Sequence, residues 1–156
     1  MAWQLANTLT DHGSVARGIC AVEDEHLTHI VERKTIIRQG DGGAFTEDGG
    51  ATYTPLAGDT PVSMNFWGFG PEMLPLLDRN FRENLRAGME ADPLKYEDLL
   101  PNAVQAAMAR GDASIRVLRS PDTWFGVTYK ADKPQVVASI AACKARGLYP
   151  EPLWQA

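Results

Sequence analysis

The sequence lacks the features that mark several classes of protein. Its 156 residues include 15 Lys or Arg against 20 Asp or Glu, and the basic residues form no arm or helix of their own. Duplex nucleic acid is therefore not an expected partner. No apolar run reaches the ~18–20 residues that a membrane-spanning helix needs, and the first residues carry no signal-peptide pattern. We expect a cytoplasmic protein that does not bind membranes.

Cysteine and histidine are also scarce. Cys20 and Cys143 are far apart and match no metal-binding or redox spacing, which predicts two buried free thiols. His26 and His29 are three residues apart, so on a strand they would point to opposite faces. The sequence therefore predicts two solvated histidines rather than a metal site.

Motifs of nucleophilic catalysis and of phosphate loops are absent from the sequence. No serine lies in a Gly-x-Ser-x-Gly elbow. Residues 39–60 hold six glycines, but these glycines do not precede a predicted helix and so do not form a phosphate-binding loop of either standard type. With 44% apolar residues, the chain is long enough for one domain with a core of its own, residues 1–156.

The most apolar and aromatic run is residues 61–71, which Pro and Gly-Pro bound on its two sides. This pattern predicts a buried strand of about 6–8 residues, followed at once by a helix. Ser63 and Asn65 are the polar exceptions, and their spacing places them on one face of that strand. Such side chains either bond internally or face a ligand.

The rest of the chain alternates predicted strands and helices. Strands at 15–22 and 27–33 form a hairpin that residues 36–38 extend, and 39–60 form a long loop with a small hairpin arm at 52–54. Further strands are predicted at 114–119 and 124–128, and helices at 71–87, 99–110 and after Asp132. The fold class is α/β or α+β, with a mixed sheet covered by three helices. The predicted inward-facing side chains are Leu74, Leu77, Phe81 and Leu85, then Leu100, Val104, Ala107 and Met108, then Val136, Val137, Ile140 and Ala141, with Leu153 and Trp154 docked on the body.

Polar side chains gather at the ends of these predicted elements. Carboxylates and amides in such places suit a ligand rich in hydroxyl groups, and a cation beside them suits a phosphate. The alternative interpretation is a set of ordinary surface residues. The residues concerned are Glu32, Arg33, Ser63, Asn65, Glu97, Asp122, Thr128, Lys130 and Asp132.

An ordered set of segments resembles a known family. These segments are residues 7–20, 31–34, 58–69, 124–134 and 147–154. Together they look like the C-terminal half of bacterial nucleotidyltransferases of the sugar-nucleotide pyrophosphorylase type. The resemblance implies a Rossmann-like, glycosyltransferase-A-like sheet. It also implies a reaction in which a nucleoside triphosphate and a sugar 1-phosphate, or a similar phosphate, form a nucleotide-sugar and release pyrophosphate, with Mg²⁺ expected in the complete enzyme.

The resemblance also implies a sugar-phosphate pocket built by this chain. Gly13 resembles the glycine whose backbone approaches the sugar, and Glu32 resembles the acid that holds sugar hydroxyls. Arg33 falls where the family usually has a phosphate-binding lysine. The other implied contacts are Ser63 and Asn65 on the strand beneath the sugar, Glu97 at the head of the next helix, and Trp124 and Thr128 in a segment that resembles the family's Trp-x-Asp-x-Gly.

Two departures from the family pattern limit what the resemblance implies. The nucleotide-binding half, with its signature loop, its Arg and Lys and its first metal-binding Asp, is missing from these residues. The second metal-binding Asp would fall at Gly126, which has no side chain to ligate Mg²⁺, although Asp122 or Asp132 could substitute. We therefore assign no catalytic residue and no metal ligand, and expect a chain that is inactive alone.

Three interpretations stay open from the sequence. The first is the acceptor-side portion of a nucleotidyltransferase. The second is a non-catalytic module that binds a sugar phosphate, or that pairs through an open sheet edge with a second copy or with a missing N-terminal half. The third is a purely structural domain.

Overall fold

A computed structural model describes residues 1–127, 129–150 and 152 of the chain. These residues form one mixed seven-stranded sheet and three α-helices, which confirms the predicted α/β class with about three helices. The strands are β1 (Ala2–Gln4), β2 (Ser14–Glu23), β3 (His26–Gln39), β4 (Gly42–Phe45), β5 (Thr54–Leu56), β6 (Pro61–Ser63) and β7 (Arg119–Ser120), and the helices are α1 (Met73–Ala91), α2 (Leu100–Ala109) and α3 (Lys133–Ala145). Short 3₁₀ turns lie at Leu5–Thr8 and Lys130–Asp132.

The strand order across the sheet is β5-β4-β3-β2-β6-β1-β7. Every neighbouring pair is antiparallel except β1 and β7, which run parallel. A mainly antiparallel sheet does not confirm the Rossmann-like arrangement, whose core strands run parallel. No helix among the described residues is long and apolar enough to span a membrane.

The predicted hairpin of β2 and β3 is confirmed and lies at the centre of the sheet. Its two strands meet at a two-residue turn, where Asp24 and Glu25 both adopt positive φ angles of 47° and 63°. Such turns match the right-handed twist of antiparallel strands. β3 is longer than residues 27–33, because Ile36 and Ile37 continue it and pair with β4.

The strand predicted over 61–71 is wrong beyond its first three residues. β6 ends at Ser63, and Asn65 adopts a left-handed φ of 55° that breaks the extended conformation. The aromatic residues after it pack as a loop, in which the Trp67 and Phe69 rings stack with centroids 5.7 Å apart. Phe66 remains 63% exposed. Ser63 and Asn65 therefore do not share a strand face.

The inner face of α2 is confirmed, whereas that of α1 is confirmed only at Leu77, which is half-buried and packs against the core. In α2 Val104 and Ala107 are fully buried. In α1 the buried residues are Met73 and Asn80, whereas Leu74 is 66% exposed. Two other members of the predicted α1 face, Phe81 and Leu85, are also exposed, and Gly88, predicted to close α1, lies inside it.

Two clusters of buried hydrophobic side chains stabilise the packing around the sheet. One joins Cys20 and Ile30 of the hairpin to Met73 of α1 and Val104 of α2. The other packs around Leu5 and involves three strands. The partners of Leu5 there are Val15, Ile36 and Val62. Cys20 and Cys143 are both buried and free, as predicted.

Later segments depart from the predictions in smaller ways. Residues 114–118 run beside the hairpin turn without forming a regular strand, and β7 takes only Arg119–Ser120. Residues 124–127 form no strand, and the hairpin arm predicted at 52–54 is β5 instead. In α3, Val136 and Ile140 are half-buried as predicted, but Val137 and Ala141 are exposed. The predicted docking of Leu153 and Trp154 lies outside the described residues.

Candidate functional site

An open cleft of about 540 Å³ lies beside β3. One wall is a run of four consecutive β3 residues, and the other is the loop that follows β4. Two consecutive residues that the sequence singled out, Glu32 and Arg33, both line this cleft. The cleft is lined by Glu32, Arg33, Lys34 and Thr35 on one side and by Thr46, Glu47, Gly49 and Tyr53 on the other.

The loop wall is held by hydrogen bonds within the loop. The Thr46 backbone N–H donates to the Thr35 carbonyl at 3.1 Å, which anchors the loop to β3. The Asp48 carboxylate accepts the Thr52 hydroxyl at 2.6 Å, the Thr52 backbone N–H at 2.9 Å and the Thr46 hydroxyl at 2.7 Å. These bonds from Thr52 and Thr46 hold the pKa of Asp48 well below its usual value. The conformation of the loop is therefore stabilised by its own hydrogen bonds and by the Thr46 anchor to β3.

Arg33 presents its cation at the edge of the cleft. Its guanidinium lies over the Phe45 ring, 4.2 Å from the ring centroid, and pairs with the Glu47 carboxylate. The Arg33 side chain is 25% exposed and the Glu47 side chain 68% exposed. An aromatic platform of this kind orients a guanidinium and reduces its hydration.

Glu32 lies in a row that crosses three strands. Gly18 of β2 is in register with Glu32 on one side and with Ser63 on the other, so the three residues share one face of the sheet. Gly18 contributes no side chain, and Glu32 Oε2 would lie 3.3 Å from a Cβ built on it. Burial raises the pKa of Glu32, while the charges of Arg17 and Lys34 act to lower it.

Arg17 is a buried residue that the sequence analysis did not select. Its guanidinium donates to the Thr8 hydroxyl at 3.1 Å and to the Ala16 carbonyl at 2.7 Å, and it also donates to the Thr8 carbonyl. Burial lowers the pKa of Arg17 to about 10, and Glu32 acts to raise it. The available signal was an arginine in the middle of an apolar strand, a place where a charge needs partners.

A further predicted residue belongs to a separate groove of about 120 Å³, whose lining does not include Gly13. Trp124 lines this groove, and its ring lies 5.3 Å from the Arg17 guanidinium. Gly13 is nearby with φ of 134°, and the Tyr129 hydroxyl covers it while bonding the Ser14 backbone. A side chain at Gly13 would collide with that ring. The groove shares no lining residue with the cleft.

The remaining predicted residues are dispersed. The buried Ser63 hydroxyl accepts the Asn65 backbone N–H at 3.1 Å, and the side-chain Oδ1 of Asn65 accepts the Trp67 indole N–H at 3.3 Å. Glu97 is exposed in the connection before α2. Thr128 lies outside the described residues. Their proposed ligand contacts stay predictions.

The described residues do not fit a Mg²⁺ site. Within them, no group of three or more His, Cys, Asp or Glu side chains is placed to hold a metal ion. Asp132 was the candidate substitute for Gly126, but its carboxylate accepts the Thr10 hydroxyl at 2.9 Å and the Tyr129 backbone N–H at 2.7 Å. The other candidate, Asp122, accepts the Ser120 hydroxyl at 3.0 Å.

No protein-family model matches the chain, and no curated protein sequence is significantly similar to it. Assignment to a nucleotidyltransferase family is therefore a proposal that depends on the resembling segments and on the cleft.

Proposed function

We propose that this chain is the acceptor-side portion of a nucleotidyltransferase of the sugar-nucleotide pyrophosphorylase type. In the complete reaction a phosphate oxygen of the acceptor attacks the α-phosphorus of a nucleoside triphosphate, a new P–O bond forms, and pyrophosphate leaves. The cleft beside β3 receives the acceptor, a sugar 1-phosphate. The observation that carries the proposal is the presence of Glu32 and Arg33 together on one open cleft.

The cleft combines the two chemistries that a sugar phosphate requires. Arg33 and Lys34 supply positive charge, and a guanidinium can bind a phosphate through two parallel N–H···O bonds. Glu32 supplies acceptor oxygens for sugar hydroxyls, and the hydroxyl of Tyr53 can bond at the opposite wall. The volume of about 540 Å³ lies within the ~300–1,000 Å³ typical of small-ligand sites.

The burial of Glu32 supports a role in binding. A half-buried carboxylate whose pKa is raised pays a desolvation penalty in the folded protein. Hydrogen bonds from ligand hydroxyls would offset that penalty.

The proposed contribution of this chain is positioning rather than proton transfer. Held by Arg33 through its phosphate and by Glu32 through its hydroxyls, the acceptor would present one phosphate oxygen to the nucleotide. No triphosphate-binding loop occurs in these 156 residues. We therefore expect acceptor binding without nucleotidyl transfer, and pyrophosphate release at an enzyme-like rate by this chain alone would contradict the proposal.

Titration calorimetry with glucose 1-phosphate tests the proposal. We expect Arg33→Gln to weaken binding by about tenfold or more, because a charge-assisted hydrogen bond contributes ~1.5–3 kcal/mol. Arg82→Gln is the matched control, since Arg82 is an exposed arginine that pairs with Asp78 on α1, away from the cleft. Equal affinity of the two variants would contradict a phosphate site at Arg33.

The alternative is a non-catalytic module that pairs with another chain through a free edge of the sheet. Among the described strands the edges are β5 and β7, of three and two residues. Edges this short are poor templates for strand pairing, so the geometry favours the cleft over the edge as the functional feature. Static light scattering separates the two, because the edge-paired module predicts a dimer at low micromolar concentration.

A further inference from the structure

The cation that would bind the ligand phosphate already has a counter-ion. Arg33 is paired with Glu47, a carboxylate contributed by the loop on the opposite wall of the cleft. A carboxylate and a phosphate bind a guanidinium in the same way, through oxygen atoms that accept its N–H groups. An anionic ligand and Glu47 therefore compete for one group.

The two members of this pair are held very differently. Arg33 stands on the long strand β3, and its guanidinium rests on the Phe45 ring with the side chain 25% exposed. Glu47 is 68% exposed, and Arg33 is its one hydrogen-bond partner among the described side chains. Of the two, Glu47 is the side chain that can move.

Movement of Glu47 would leave its loop intact. The hydrogen bonds that fold the loop run among Thr46, Asp48, Gly50 and Thr52, and none of them uses the Glu47 carboxylate. The anchor to β3 is a backbone bond of Thr46. A rotation of the Glu47 side chain is therefore sufficient to free Arg33, and no rearrangement of the backbone is required.

We propose that the Glu47 carboxylate competes with the phosphate group of the ligand for Arg33. The phosphate displaces the Glu47 carboxylate from Arg33 when the ligand binds. The inference rests on the proposed function of the cleft and adds a regulatory element to it. An exposed ion pair is weak, whereas a phosphate with two charges and three acceptor oxygens can engage the same guanidinium bidentately. A neutral sugar has no anionic group to exchange for the Glu47 carboxylate, so the competition weakens only the binding of phosphorylated ligands.

Removal of the Glu47 charge should therefore tighten binding. We expect Glu47→Gln, and also Glu47→Ala, to bind glucose 1-phosphate about two- to fivefold more tightly than the unaltered chain, the range that the strength of an exposed ion pair allows. Asp78→Asn breaks the exposed pair with Arg82 on α1 and is the matched control, with no change expected. Titration calorimetry measures the affinities, and the Arg33 Nε–Hε resonance reports directly on exchange of its partner.

The possible results separate this inference from the function on which it rests. If the unaltered chain binds glucose 1-phosphate but Glu47→Gln binds it no more tightly, the competition is refuted and the proposed function stands. If glucose binds Glu47→Gln more tightly to the same degree, charge competition is likewise refuted. If neither chain binds glucose 1-phosphate, both proposals fail.

Discussion

Arg17 shows how much a single buried residue organises this fold. Its guanidinium joins β2 to the 3₁₀ turn through Thr8 and lies beside the Trp124 ring. A buried charge persists only where its donors are satisfied, and the three hydrogen bonds of Arg17 meet that requirement. Arg17 thereby fixes one wall of the groove that contains Trp124.

We predict that Arg17→Met destabilises the protein by about 2–4 kcal/mol, because the buried Thr8 oxygens lose their donor. Urea unfolding followed by circular dichroism measures the change. Arg82→Met is the control, because this residue is solvent-exposed on α1, and we expect it to stay within about 0.5 kcal/mol of the unaltered chain. A similar loss of stability in both variants would show that the buried hydrogen bonds of Arg17 do not stabilise the fold more than an exposed arginine does.

Glu32 predicts a characteristic dependence of stability on pH. Its folded pKa is raised above the unfolded value of 4.5, so its burial costs least below pH 4.5 and destabilises the fold as pH rises through the folded pKa. We expect Glu32→Gln to be more stable than the unaltered chain at pH 7, with the difference vanishing below pH 4.5. Urea unfolding at a series of pH values measures this difference in stability. A Glu32→Gln variant that is less stable than the unaltered chain at pH 7 would contradict the prediction.

At the scale of elements, α1 packs through a face that only partly matches the predicted apolar row, with Leu77 common to both. Met73 is 4% exposed and faces the first hydrophobic cluster, whereas its neighbour Leu74 is 66% exposed. Periodicity counts apolar residues along a helix but cannot say which row meets the sheet. The packed row includes the polar Asn80, whose amide donates to the Asp98 carboxylate at 3.1 Å, and a pattern based on hydrophobicity excludes such a residue.

The difference between these neighbours is directly measurable. We expect Met73→Ala to cost about 2–5 kcal/mol, because it removes a buried side chain and leaves a cavity. Leu74→Ala should change stability by about 0.5 kcal/mol or less, because the leucine is largely in solvent already. Urea unfolding of the two variants measures both losses of stability. A larger loss in Leu74→Ala than in Met73→Ala would support the helix face that the sequence predicts.

Elements with strictly local signals were predictable, and those that depend on distant contacts were not. The β2–β3 hairpin was predictable because alternation and an acidic turn specify it within about 20 residues. The conformation of residues 61–71 was not predictable, because aromatic side chains are compatible with a loop that packs on neighbouring elements as well as with a buried strand. Its Met1 ammonium partner, which donates to the Phe66 carbonyl at 2.9 Å, is 65 residues away in the chain.

At the scale of the whole molecule, half of the cleft was visible in the sequence. Glu32 and Arg33 are chain neighbours, so their backbones are necessarily adjacent, although they lie within β3 rather than at the strand end that the sequence predicted. The opposing wall comes from the loop after β4, and its approach to β3 depends on the Thr46 anchor and on the turn around Asp48. Of the residues predicted beside them, Trp124 lines a separate groove and Gly13 packs under the Tyr129 ring.

The most direct test of the central claim is a ¹H–¹⁵N shift titration of the labelled chain with glucose 1-phosphate. The account predicts saturable shifts concentrated at residues 32–35 and 46–53, with little change on α1 and α2. Glucose alone should produce much smaller shifts, because it lacks the phosphate that Arg33 would bind. Shifts centred elsewhere, or none at millimolar ligand, would contradict the assignment of this cleft to a sugar phosphate.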